Sequence, residues 1–218
     1  MIVKCKRIAK NIYHIILPSK WQLAKTFLRF QEYSESPKFR GKIFSLDEFK
    51  KWYVSNSPRG KKTGKFTYYR DWDGFNIPSK TLEPFYRGKF NPLSEEEKEI
   101  LALFKNKRKQ KLYIIATYNN SSKHLIKHET AHGLFYTNPK YKRDVIKILE
   151  NIDRGAKRGI IHYLSEYGGG YHQGVWADEI HAYTLSDFNY LKKHGVNTRK
   201  LVKTNRDLNA VFNKYSKS

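Results

Sequence analysis

The second half of the chain carries the clearest helical rhythm. Apolar positions recur three and four residues apart in two runs, Leu125, Ile126, Ala131 and Leu134, then Val145, Ile146, Ile148 and Leu149. That spacing gathers each set on one helix face. It predicts helices at 123–135 and 141–152, followed by helical stretches at 160–166, 175–185, 187–193 and 199–215. Asn119 to Ser122 turns the chain and caps the first of these helices, and Asn138-Pro139 stops it. In the first half, Trp21, Ala24, Phe27 and Leu28 define a helix at 20–33, capped by Ser19 and broken at Ser36-Pro37. Ser45-Leu46-Asp47-Glu48 and Ser94-Glu95-Glu96-Glu97 both read as capping boxes, each opening a helix. Short apolar runs at 11–17 and 112–118 predict strands.

Between residues 55 and 91 the periodicity fails. Gly60, Gly64, Gly74 and Gly88 alternate with Pro58, Pro78 and Pro84, and aromatics are interleaved with bases from Lys65 to Trp72 and again from Phe85 to Phe90. The expectation is a long loop tied to the core by its aromatic side chains, with the lysines in solvent. A base-stacking surface or a peptide groove is the alternative. The pattern as a whole reads as α+β and predominantly helical. It divides into an N-terminal elaboration over 1–110, which holds the aromatic and basic loop, and a region over 111–218 with a short sheet and an active-site helix.

Composition bounds the function. With 39% hydrophobic and 15% aromatic residues in 218, the chain can bury a core. No apolar run reaches the roughly 18 residues of a membrane span, and none has the form of a signal peptide. Cys5 is the only cysteine, which excludes intramolecular disulfides and a cysteine-built zinc ribbon. These features predict an intracellular, cytoplasmic protein, with a virion or a host cell as settings that also fit. The net charge of +23 draws the chain to polyanions and predicts non-specific association with nucleic acid through a basic surface. A Lys-, Asn-, Ile- and Tyr-rich compositional habit accounts for the same number without function, and no DNA- or RNA-binding motif is present.

The chemistry lies in His128-Glu129-Thr130-Ala131-His132. Histidines four apart share one helix face, so both imidazoles can converge on one metal ion. Glu129 then stands beside the open position, where a base is needed to take a proton from water. A catalytic zinc takes three protein ligands, so a third must come from elsewhere. No histidine follows the motif closely, the next being His162, and Cys5 lies far upstream. A later helix supplies candidates in Trp176-Ala177-Asp178-Glu179-Ile180-His181-Ala182-Tyr183. Glu179, Asp178 and His181 are all open as the third ligand, and Asp178 is also a candidate to hold a histidine tautomer.

Together the two segments resemble the gluzincin class of zinc peptidases, in which a glutamate from a second, antiparallel helix joins the H-E-x-x-H pair. The resemblance covers the two motif helices, about a quarter of the chain, and implies a zincin-like core. It maps His128, His132 and Glu179 to zinc ligands and Glu129 to general base, and it implies hydrolysis of a protein or peptide substrate. A donor is then needed for the developing oxyanion. Tyr171 and His172, after the break at Gly168 to Gly170, are candidates, and so is Tyr183, one turn beyond Glu179.

Overall fold

A computed structural model describes residue 2 and residues 4–119, 121–166 and 173–217. The chain is mostly helical with a small mixed four-stranded sheet, an α+β arrangement. It divides into two units, one formed by Met1–Arg7 and Tyr13–Ser121 and the other by Ile8–Ile12 and Ser122–Ser218.

The first unit is built around the sheet. Strands β1 (Lys4–Ala9) and β2 (Ile12–Leu17) flank a two-residue turn in which Asn11 takes φ 62°. Asparagine tolerates this left-handed conformation better than most residues. Helices α1 (Lys20–Glu35), α2 (Leu46–Asn56) and α3 (Pro58–Thr63) follow, then β3 (Gly74–Pro78), the short α4 (Glu83–Tyr86), α5 (Glu95–Phe104) and β4 (Tyr113–Tyr118). The strand order is β1-β2-β4-β3. Strand β4 is buried along nearly its whole length, as an inner strand covered on both faces should be. Antiparallel register sets Phe75 opposite Ala116 and Ile77 opposite Ile114. Helix α1 lays Leu23, Ala24, Phe27, Leu28 and Phe30 into the core, packing against β3 and β4.

The expectation of one long loop over 55–91 is corrected. The segment contains α3, β3 and α4, with 3₁₀ turns at Tyr68–Arg70 and Ser79–Leu82. Strand β3 escapes periodicity because it is five residues long and bounded by Gly74 and Pro78. The anchoring role of the aromatics holds: Tyr68, Phe75, Phe85 and Phe90 are all buried, and the Phe85 and Phe90 rings stack 3.9 Å apart. Gly60 is fixed by space. A Cβ there would lie 2.2 Å from the Tyr53 carbonyl oxygen, so only glycine lets α3 approach α2.

Of the two expected capping boxes, that at Ser94 is complete. Its hydroxyl accepts from the Glu97 N–H at 3.2 Å, and the Glu97 carboxylate accepts from the Ser94 N–H at 2.9 Å. At Ser45 the hydroxyl accepts from the Glu48 N–H at 3.1 Å. Glu97 has a second duty, receiving the Arg29 guanidinium, whose Nε donates to Oε1 at 2.7 Å and whose remaining N–H groups reach the Phe90 and Pro92 carbonyls.

From Ser122 onward the second unit is helical among its described residues. It holds α6 (Lys123–Thr137), α7 (Pro139–Glu150), α8 (Arg154–Glu166), α9 (Trp176–Ser186), α10 (Phe188–Lys193) and α11 (Val202–Ser216). Helix α8 starts well before the expected residue 160, because Gly155, Gly159 and the bases Arg154, Lys157 and Arg158 mask its apolar face. The overlooked signal is Asp153, whose carboxylate accepts the Ala156 N–H at 2.8 Å as a cap would. Helices α6 and α9 are partners, and α11 packs on α6, α7 and α9. Ala131, Leu134, Ile180, Ala182 and Leu185 fill the space between them and their neighbours. Among the described residues no helix is long and apolar enough to cross a membrane.

Candidate metal centre

Helix α6 begins at Ser122, whose hydroxyl accepts the Leu125 N–H at 3.1 Å. From that start His128 and His132 fall on the edge facing α9. The contacts run in opposite order along the two helices. Lys127 and His128 meet Leu185, Ser186 and Asp187, whereas His132 meets Asp178 and Glu179. The two helices are therefore antiparallel.

Three side chains converge. The Nε2 atoms of His128 and His132 are 3.1 Å apart, and His132 Nε2 is 3.8 Å from Glu179 Oε2. One ligand atom from each of His128, His132 and Glu179 can be chosen so that all lie within 4.8 Å of one another. Two nitrogens bound tetrahedrally to zinc, each at about 2.0–2.1 Å, stand about 3.3–3.4 Å apart, so this donor set needs little adjustment to take the ion. Glu179 Oε2 is buried and accepts no hydrogen bond among the described residues. A buried carboxylate oxygen without a donor is costly, and a cation is the partner that would relieve it.

The outward nitrogens of both imidazoles are held. His128 Nδ1 donates to Asp187 Oδ2 at 2.8 Å and lies 3.2 Å from Ser186 Oγ. His132 Nδ1 lies 2.9 Å from Asp178 Oδ1. A carboxylate thus stands behind each Nδ1 while the two Nε2 atoms turn toward one another, an arrangement typical of metal-bound histidine. Asp178 thus serves His132 from behind, while its neighbour Glu179 points to the shared corner. His181 does not reach that corner. Its ring is fully buried, stacks on Phe135 at 5.1 Å, and turns Nδ1 to the Asp178 carbonyl at 2.6 Å. Of the three candidates for third ligand, the geometry brings Glu179 alone to both Nε2 atoms.

Electrostatics match a cation site. The chain has 20 acidic residues, and four of them, Glu129, Asp178, Glu179 and Asp187, gather around two histidines. Burial raises the Glu179 carboxyl above its ordinary range. Burial alone would lower His132, but the Asp178, Glu179 and Glu129 carboxylates outweigh it and raise that imidazole well above the usual value. Burial would raise Asp178, but the His132 charge and contact hold it well below the carboxylate range. Glu129 is itself buried and close enough to act on both His132 and Glu179.

The expected oxyanion donors divide. Tyr171 and His172 lie outside the described residues. Tyr183 is at the site, its ring 4.8 Å from that of His128 in an edge-on contact. Behind it stands a tyrosine cluster that the sequence reading missed. Tyr163 on α8 donates to the Tyr190 hydroxyl at 3.0 Å, and burial together with hydrogen bonds to Tyr190 and Tyr183 pushes its own hydroxyl far above the ordinary value. Asp187 was also missed, although a signal existed. Residues 179, 183 and 187 recur every four positions and therefore share one face of α9 and its C-terminal end. Nothing comparable announced Tyr163, which comes from a different helix.

Comparison of the chain with protein-family models, curated proteins and solved structures finds no match.

Proposed function

We propose that this chain is a zinc-dependent peptidase of gluzincin type, with a zincin-like core organised on α6 and α9. The observation that carries the reading is the convergence of His128, His132 and Glu179 from two antiparallel helices, with Glu129 buried beside them. Zinc held by these three residues would polarise a substrate carbonyl and bring the pKa of a water molecule down to about 7. Glu129 would serve as the base that takes a proton from the attacking water and returns it to the departing amine. Asp187 and Asp178, set behind the two rings, would hold the imidazoles in orientation toward the ion. Tyr183, whose ring lies against His128, would be the described donor to the developing oxyanion, and Tyr171 and His172 are the other candidates. The substrate class is protein or peptide.

The test is metal analysis combined with hydrolysis. Purified protein supplied with zinc should retain about one ion per chain and cleave members of a mixed peptide library. His128→Ala and His132→Ala should each lose both properties. Wild-type protein that takes up no zinc would end the proposal.

A further inference from the structure

The first unit exposes two large aromatic side chains where a buried position would be normal. Trp21 on α1 is 47% exposed and Trp72, just after the 3₁₀ turn, is 50% exposed. Tyr69 of that turn packs against Trp21 with ring centroids 5.7 Å apart, and Tyr68 packs against Trp72 at 6.2 Å. A bridge of 2.8 Å from Lys20 to Asp73 fastens the residue before Trp21 to the residue after Trp72. The two indoles therefore belong to one patch, held at its base by the buried aromatic core. Their inward neighbours in the same segment are anchors, but these rings spend half their surface on solvent.

The charges around the patch are asymmetric. Its acids are already matched: Asp73 by Lys20, Asp71 by Arg59 at 2.7 Å, and Glu96 by Lys25 at 2.5 Å. The Arg59 bridge also ties α3 to the turn, and α3 carries Lys61 and Lys62 into solvent, with Lys65 next in the chain and Arg70 within the turn. Flat aromatic faces within a surplus of positive charge suit a strand of nucleic acid whose bases are free to stack. Duplex DNA keeps its base faces covered and would meet the lysines only.

We infer that the Trp21–Trp72 patch, with its surrounding lysines, is a binding surface for single-stranded nucleic acid, read by base stacking and backbone charge without sequence preference. The inference concerns the first unit and does not depend on the metal centre.

The probe is an end-labelled oligothymidylate of about a dozen nucleotides, titrated while tryptophan fluorescence of the parent and, for every variant, the anisotropy of the label are followed. The expected result is quenching on binding, with the duplex of the same length bound more weakly. Trp21→Leu with Trp72→Leu should weaken single-strand binding by about tenfold or more, whereas Trp21→Phe with Trp72→Phe should keep most of it, since phenylalanine stacks and leucine does not. Both positions are half exposed, so each variant should melt like the parent. Leucine and phenylalanine variants that bind alike would overturn the proposal. So would a duplex bound as tightly as the single strand, or quenching produced only by phosphatidylserine vesicles.

Discussion

His128 Nδ1 and Asp187 Oδ2 meet at 2.8 Å across the gap between α6 and the end of α9. The bond joins the first histidine of the motif to the last residue of the face that carries Glu179, so it sets ring orientation and helix separation together. Asp178 Oδ1 stands in the matching position behind His132, 2.9 Å from its Nδ1. Two carboxylates from one helix thus brace two imidazoles from the other, leaving Glu179 to complete the donor set.

Asp187→Asn and Asp178→Asn should each weaken zinc binding by about 10- to 100-fold while leaving the fold intact. Competition against a chelator of known affinity reads this directly. Unchanged affinity in both variants would mean that the carboxylates do not orient the ligands.

Glu129→Gln should keep its zinc and lose hydrolysis by about 10²- to 10⁴-fold, because the amide cannot take the proton. Metal content and peptide cleavage measured on the same preparation separate this from a damaged site. Full activity in the variant would remove Glu129 from the role of base.

Glu179→Ala should cost the metal, whereas His181→Ala should retain it and cost stability instead. The His181 ring is fully buried against Phe135 and Tyr141, so its truncation opens a cavity worth about 2–4 kcal/mol. Zinc retention by the Glu179 variant, with loss in the His181 variant, would reverse the assignment of the third ligand.

In the first unit, burial, helped by Lys6, lowers the His14 imidazole to about 4, and its Nε2 pairs with Thr117 Oγ1 at 2.8 Å. The unfolded chain has its histidine near 6.5, so between these values the unfolded state binds more protons. Stability is full above about pH 6.5, falls as pH drops toward about 4 by up to ~3 kcal/mol, and is unaffected by this group below that. Denaturation curves at pH 7 and pH 4.5 should show the loss, and His14→Gln should flatten it. An equally steep pH dependence in the variant would assign the loss to other groups.

Glu97→Ala should destabilise the first unit by about 3–5 kcal/mol, since the Arg29 guanidinium would stay buried without its counter-charge. The joint replacement Arg29→Met with Glu97→Leu should recover most of that loss. Chemical denaturation of the three proteins tests both statements.

What could be read from the sequence was whatever repeats along one element. The amphipathic helices, the capping box at Ser94, the strand at 113–118 and the H-E-x-x-H spacing all express a local period. What could not be read depends on pairing between distant elements. Strand β1 is mostly charged and exposed, so no apolar alternation marks it; it exists because β2 lies alongside. Strand β3 is too short to show a rhythm and owes its conformation to β4. At the site, the ligand helix was legible but the choice between adjacent Asp178 and Glu179 was not, because one residue of helical rotation decides which carboxylate faces inward. Tyr163 and Tyr190 entered through tertiary packing alone.

The sheet has two outer strands, and both are poor templates for another chain. Strand β1 carries Lys4, Lys6 and Arg7, while β3 is brief and ends at Pro78, which has no N–H to offer. A copy of this protein aligning its own β1 there would set lysine against lysine. The same basic residues that colour the whole composition therefore also act as a guard against edge-to-edge assembly, keeping a four-stranded sheet from becoming an eight-stranded one.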